Sequence, residues 1–238
     1  MEVQFAVAKI SKWAARESGD TLEMIERPHG GLSMVLVDGQ TSGRSAKAIS
    51  NVVARKAIQL LGEGVRDGAA ARAAHDYLYT FRGGKVSATL NILSVDVHTR
   101  TIVISRNNET PVLVRTEAEG FYLLDAESKA VGVHRNTKPV IAETPIAVGT
   151  IVVAFTDGLR HAGTLSGKGR AYDPFAAFQA MVGSGICDAH AICDRLLEEA
   201  MAMDDGRPRD DISVIAISVL ESREGDEVRR QSGRLTLQ

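Results

Sequence analysis

Apolar residues alternate from Val3 to Ala8 (Val3, Phe5, Val7), the period of a half-buried strand. After the Gly30-Gly31 turn, Leu32 to Val37 predicts a second strand that ends at Asp38-Gly39. Ile49, Val52, Val53, Ala57, Leu60 and Leu61 then recur at three- and four-residue spacing, which predicts a helix with one apolar face, closed by Gly62 and Gly64. An alanine-rich segment from Ala69 to Thr80 predicts a second helix. Ser87 to Val97, Thr101 to Ser105 and Val112 to Arg115 read as successive strands of an antiparallel meander, with Phe121 to Leu124 as a further short strand. Ile151 to Phe155 is an apolar run ending at Thr156-Asp157-Gly158. Asp188 to Met203 carries helical spacing, and Ile212 to Leu220 is apolar at nearly every position, so both its faces should be covered.

Strands grouped together with helices in pairs between the groups predict an α+β layered sandwich, not alternating βαβ units. No repeat or Pro/Ser-rich linker divides the 238 residues, and 44% of them are hydrophobic, enough for one sizeable core. One domain over 1–220 is expected, followed by a polar, frayed tail over 221–238.

Charge and composition narrow the classes. The 28 basic and 30 acidic residues nearly cancel, which gives no sign of a nucleic-acid or membrane-surface binder. Cys187 and Cys193, six apart in what reads as a helix, lack metal-ligand spacing and point to a reducing compartment. The N-terminal residues carry no signal-peptide pattern, and no apolar run nears the roughly 20 residues of a membrane span. A cytoplasmic protein is the expectation.

The chemistry lies in acidic residues placed at predicted strand ends. Asp38 follows Met34-Val35-Leu36-Val37, Asp157 follows Ile151-Val152-Val153-Ala154-Phe155, and Asp210-Asp211 precedes Ile212-Ser213-Val214-Ile215. Asp20 follows Ser18-Gly19 in what reads as the loop beyond the first strand. Singly, an Asp-Gly after a strand is a turn. Jointly, carboxylates gathered at one sheet edge must be protonated, paired with Lys/Arg, or neutralised by cations. Apart from Arg160, basic residues are scarce beside Asp38 and Asp157, and oxygen-only ligands favour hard ions such as Mg2+ and Mn2+. Gly39 would let its backbone carbonyl approach such an ion.

The ordered set Ser18-Gly19-Asp20, Val37-Asp38-Gly39, Ser87-Ala88-Thr89-Leu90, Ala130-Val131-Gly132-Val133, Phe155-Thr156-Asp157-Gly158 and Asp210-Asp211-Ile212-Ser213-Val214 resembles the metal-dependent protein phosphatases (PPM, type-2C), in their bacterial SpoIIE-type branch. The resemblance spans about residues 1–220. It implies a four-layer α/β/β/α sandwich, two mostly antiparallel sheets flanked by antiparallel helix pairs, with two divalent cations, Mn2+ or Mg2+, at one end. It implies that Asp38 bridges both ions, that the Gly39 carbonyl binds one, and that Asp157 and Asp210 complete the other site. Asp20 would hold metal or metal-bound water, and Asp211, which stands where the pattern often has Asn, would join the metal set as a supporting residue. Asp38, Asp157 and Asp210 would carry catalysis: phosphoserine or phosphothreonine hydrolysis by direct attack of metal-bound water. The implied substrate is a phosphorylated regulator of stress or sporulation signalling, of the anti-sigma-factor antagonist type.

One position departs from the family pattern. Many type-2C enzymes carry His just after the Asp-Gly as acid for the leaving alkoxide, and here Gln40 stands there. That keeps a second reading open: a catalytically impaired phosphatase-fold module that binds a phosphoprotein. Arg16, Arg44 and Lys47 are weaker phosphate-contact candidates, with a solvated surface as the plainer role. His161, four residues after Asp157, is the one histidine that stands out as a site candidate, and Trp13 reads as a core or packing residue. The Gly-rich and polar segment 162–174 reads as a surface loop or a flap.

Overall fold

The computed structural model describes residues 1–164, 170–222, 228–231 and 233–234. In chain order its elements are β1 (Glu2–Ile10), β2 (Asp20–Glu26), β3 (Leu32–Gly39), α1 (Gly43–Gly62), α2 (Asp67–Arg82), β4 (Ala88–Asp96), β5 (Thr101–Asn107), β6 (Val112–Thr116), β7 (Gly120–Leu124), β8 (Val140–Pro145), β9 (Ile151–Phe155), α3 (Asp157–His161), α4 (Pro174–Gly183), α5 (Ala189–Met203) and β10 (Ile212–Leu220). Of the tail expected over 221–238, residues 223–227, 232 and 235–238 lie outside the described residues, as do residues 165–169 of the segment 162–174 read as a loop or flap.

The strands form two five-stranded sheets, ordered β1-β10-β9-β6-β7 and β2-β3-β4-β5-β8, and every adjacent pair within them is antiparallel. The reason they stack is written in the strands. In β3, Met34 and Leu36 face the other sheet, while Val35 and Val37 face helices α1 and α2. In β9, Val152 and Ala154 face inward, while Val153 and Phe155 meet α4 and α5. A strand apolar on both faces needs cover on both sides, and side chains alternate face by face. The result is three apolar layers: α1 and α2 on one sheet, the sheet-to-sheet core, and α4 and α5 on the other. The expected four-layer α/β/β/α sandwich is the observed architecture.

Three expectations need correction. Asp20 is not in a loop: it opens β2, paired directly opposite Asp38 of β3. The meander breaks after β5, since β6 leaves for the other sheet and pairs with β7 and β9. Cys187 precedes α5, and only Cys193 lies within it, buried against the core. Among the described residues, no helix is long and apolar enough to cross a membrane.

Candidate metal centre

Strand alternation aims Asp38 at the same side of β3 as Met34 and Leu36, into the space between the sheets. Asp20, its register partner, aims there too. Both carboxylates therefore stand where the apolar sheet-to-sheet core ends. From the opposite sheet, Ser213 of β10 donates its hydroxyl to Asp20 Oδ2 at 2.6 Å, and Thr156, just after β9, donates at 3.1 Å. Asp20 thus joins the two sheets. Its other oxygen, Oδ1, is buried and has no hydrogen-bond partner.

Asp157 opens the short helix α3, and Asp210 and Asp211 enter β10. The Thr156 N–H donates to the Ser213 carbonyl at 3.0 Å, so the two strand ends that carry these acids run side by side. Asp38 is pushed up to about 8, first by burial and then by the charges of Asp20, Asp157, Asp210 and Asp211. Asp20 is raised to about 6 by burial and by Asp211, against the pull of Ser213 and Lys9. Asp210 is raised as well, by burial first, opposed by the hydrogen bond from the Asp211 N–H.

Two glycines set the spacing. A Cβ on Gly39 would overlap the backbone carbonyl of Ala46 in α1, and one on Gly158 would overlap the carbonyl of Asp211. Neither has a positive φ, so each Asp-Gly pair uses glycine for close approach and not for a turn.

Asp211 differs from the other acids. Its Oδ1 accepts the Lys12 N–H at 2.9 Å and its Oδ2 accepts the Gly19 N–H at 2.7 Å, so it holds both ends of the β1–β2 loop. Lys47, expected on a solvated helix face, instead reaches inward and donates to the Asp20 carbonyl at 2.7 Å and to Thr21 Oγ1 at 3.0 Å. Lys9, which sequence reading passed over, donates to the same carbonyl at 2.6 Å, and burial followed by Lys47 lowers its pKa. It sits in β1, whose alternation signals a strand but says nothing of which strand end it will meet. Arg44 and Arg16 are exposed. His161 Nδ1 lies 3.7 Å from Asp157 Oδ2, a contact that counts as an ion pair only when the imidazole is protonated.

The donor set suits hard divalent cations. It offers oxygen atoms only, one of them orphaned, and among the described residues no lysine or arginine forms an ion pair with Asp20, Asp38 or Asp210. Nor do three acidic, imidazole or thiol groups of the described residues already converge tightly enough to hold a single ion. The two facts agree once range is considered, because charges raise a neighbour's pKa at distances well beyond the contact that ligation needs.

The family model for Stage II sporulation protein E (SpoIIE) matches residues 28–220. The chain belongs to the SpoIIE family. This SpoIIE-family chain shares its fold with the phosphatase domain and regulatory fragment of SpoIIE from Bacillus subtilis, at TM-score 0.77 and 17% identity, over 92% of this chain and 64% of that one. It therefore spans less than two thirds of that relative. The RsbU and RsbW domains of a Mycobacterium tuberculosis protein align at TM-score 0.70 and 18% identity, over 92% of this chain and 60% of that one. The Mycobacterium tuberculosis serine/threonine phosphatase PstP/Ppp aligns at TM-score 0.66 and 14% identity, over 92% and 99%. No curated protein matches the chain.

Proposed function

We propose that this SpoIIE-family protein is a serine/threonine protein phosphatase that works with two divalent cations, Mn2+ or Mg2+. The observation that carries the reading is Asp38, raised to about 8 by burial and four neighbouring aspartates, with no lysine or arginine paired to it among the described residues. Similar folds support it: RsbX was solved with magnesium and PstP with two manganese ions. Asp38, Asp20, Asp157, Asp210 and the Gly39 carbonyl are the groups that would hold the cations. Ions bound there would lower the pKa of water and balance charge on the phosphoryl oxygens. Asp211 acts by position: it pins the β1–β2 loop beside the site, and any direct ligand role is secondary.

The substrate proposed is a phosphorylated regulatory protein of bacterial stress or sporulation signalling, in a cytoplasmic setting. Its support is likeness to SpoIIE, a cell fate determinant, to RsbU and to a stressosome-related structure. The domain is proposed to span 1–220. Hydrolysis of p-nitrophenyl phosphate should require Mn2+ or Mg2+ and should vanish in Asp38→Ala and Asp157→Ala. A folded wild-type protein inactive across both cation titrations would refute the proposal.

A second reading has one observation in its favour. Gln40 cannot act as an acid, and its Oε1 already accepts the Ser87 N–H at 2.9 Å, so the side chain braces β3 against the start of β4. An impaired module that only binds a phosphoprotein would show that inactivity together with retained phosphoprotein binding. If the enzyme is active, water or another group must protonate the leaving oxygen.

A further inference from the structure

Trp13 is the chain's one tryptophan and was expected in the core, yet it is 58% exposed. Its backbone is fixed. The Trp13 N–H donates to the Pro208 carbonyl at 2.8 Å, and the N–H of Lys12 beside it donates to Asp211. Gly19, at the loop's far end, donates to the other oxygen of the same carboxylate. Ala15 closes a turn onto the Lys12 carbonyl at 3.0 Å, and Ala14 sits at a φ of 63°. The loop that presents the indole is thus tied at both ends to the entrance of β10, next to Asp210. The Arg207 guanidinium lies 5.2 Å from the ring centre and holds one face of the indole.

The Arg207 contact covers one face of the indole and leaves the ring 58% exposed on a loop whose backbone is fixed. Rigid aromatic side chains at a rim are what anchor a binding partner, because little conformational freedom is lost when they are covered. The surroundings name the partner's chemistry. The two loops that meet at the Trp13–Pro208 bond bring four exposed cations, Lys12, Arg16, Arg207 and Arg209, against two exposed acids, Glu17 and Asp205, so they are net positive beside the entrance of β10. Such a surface suits a phosphorylated polypeptide, whose phosphate would reach the cations proposed at the carboxylate edge while its neighbouring residues cross these loops. The other exposed large aromatics, Tyr77 and Phe81, lie on the outer helix α2 and not on the loops that carry the carboxylates.

We propose that Trp13 is a substrate-docking residue: it packs against an apolar side chain flanking the phosphoserine or phosphothreonine, and so sets peptide preference. The proposal rests on the phosphatase reading for its substrate, but it can be tested apart from turnover.

Two phosphoserine peptides serve as probes, one with leucine on each side of the phosphoserine and one with glycine. In Trp13→Ala, kcat/KM for the leucine peptide relative to p-nitrophenyl phosphate should fall about tenfold, through KM, with Trp13→Phe restoring most of it. An equal loss on both substrates would mean a merely structural role and would overturn the proposal. The lone tryptophan supplies the second readout. With Mn2+ present, titrating wild-type protein with a non-hydrolysable phosphonate analogue of the leucine peptide should shift Trp13 fluorescence saturably, and the glycine analogue should shift it far less. An unresponsive indole, or equal responses, would also overturn docking at Trp13. If no substrate is hydrolysed at all, the phosphatase reading fails, and the fluorescence titration still decides the docking.

Discussion

Gly39 shows how closely the site is built at the scale of single residues. Its missing Cβ lets β3 pass the Ala46 carbonyl of α1, and the Asp38 carboxylate depends on that approach. Gly39→Ala should cost roughly 1–3 kcal/mol of stability as an overpacked core position, measured by urea unfolding. It should also lose most of the proposed phosphatase activity, because the strand end carrying Asp38 and the Gly39 carbonyl must shift. Unchanged unfolding would show that α1 yields freely there. The Asp-Gly pairs were legible in the sequence as markers. Their reason was not, since turn chemistry and close packing both call for glycine. Trp13 was misjudged because hydrophobicity favours the interior on average, whereas a hydrogen-bonded loop fixes this indole outside.

Among the elements, the long ones with unbroken period were readable: α1, α2, α5, β9 and β10. The strand β2 was missed because its exposed residues, Glu23, Met24 and Glu26, fall on both of its faces, which blurs any apolar alternation. The edge strand β8, with exposed Ile141 and Glu143 and a terminal Pro145, is equally quiet. The five-residue helix α3 begins at an Asp-Gly that reads as a turn, and α4 begins at Pro174, where the segment read as a loop or flap ends. How the helix pair is fastened was also invisible. Asp67, at the start of α2, pairs with Arg27 at 2.7 Å, their side chains 7% and 14% exposed, and accepts the Ser94 hydroxyl. Arg27 also donates to the Val65 carbonyl at 2.9 Å. Asp67→Ala leaves a buried guanidinium without its anion and should cost about 3–5 kcal/mol in chemical denaturation. Adding Arg27→Met should recover part of that loss. A double variant less stable than Asp67→Ala would show that Arg27 contributes chiefly through its other contacts.

Across the whole molecule, the acidic edge makes the cation-free fold sensitive to pH. Asp38 is raised from 3.8 to about 8 and Asp20 to about 6, so the folded state binds more protons than the unfolded chain between those values. The stability they contribute is complete below about pH 4 and is lost as pH rises through about 6 and then about 8. In EDTA, Tm should fall from pH 5 to pH 8, and Asp38→Asn should flatten that slope and leave the variant more stable than wild type at pH 8. Mn2+ should raise the wild-type Tm more than that of Asp38→Asn. A slope identical in the two proteins would show that Asp38 does not titrate in this range.

The sequence by itself determined the class of fold, the two-faced burial of β10 and the strand-end positions of Asp38, Asp157, Asp210 and Asp211. Local periodicity and flanking glycines carry that much, because they depend on neighbours a few residues apart. Only the folded chain decided that Asp20 faces Asp38 across a strand pair, that Asp211 binds two backbone amides, and that Lys47 turns inward. Those outcomes depend on register and on which sheet edges meet. Such relations join residues far apart in the chain, and no local pattern encodes them.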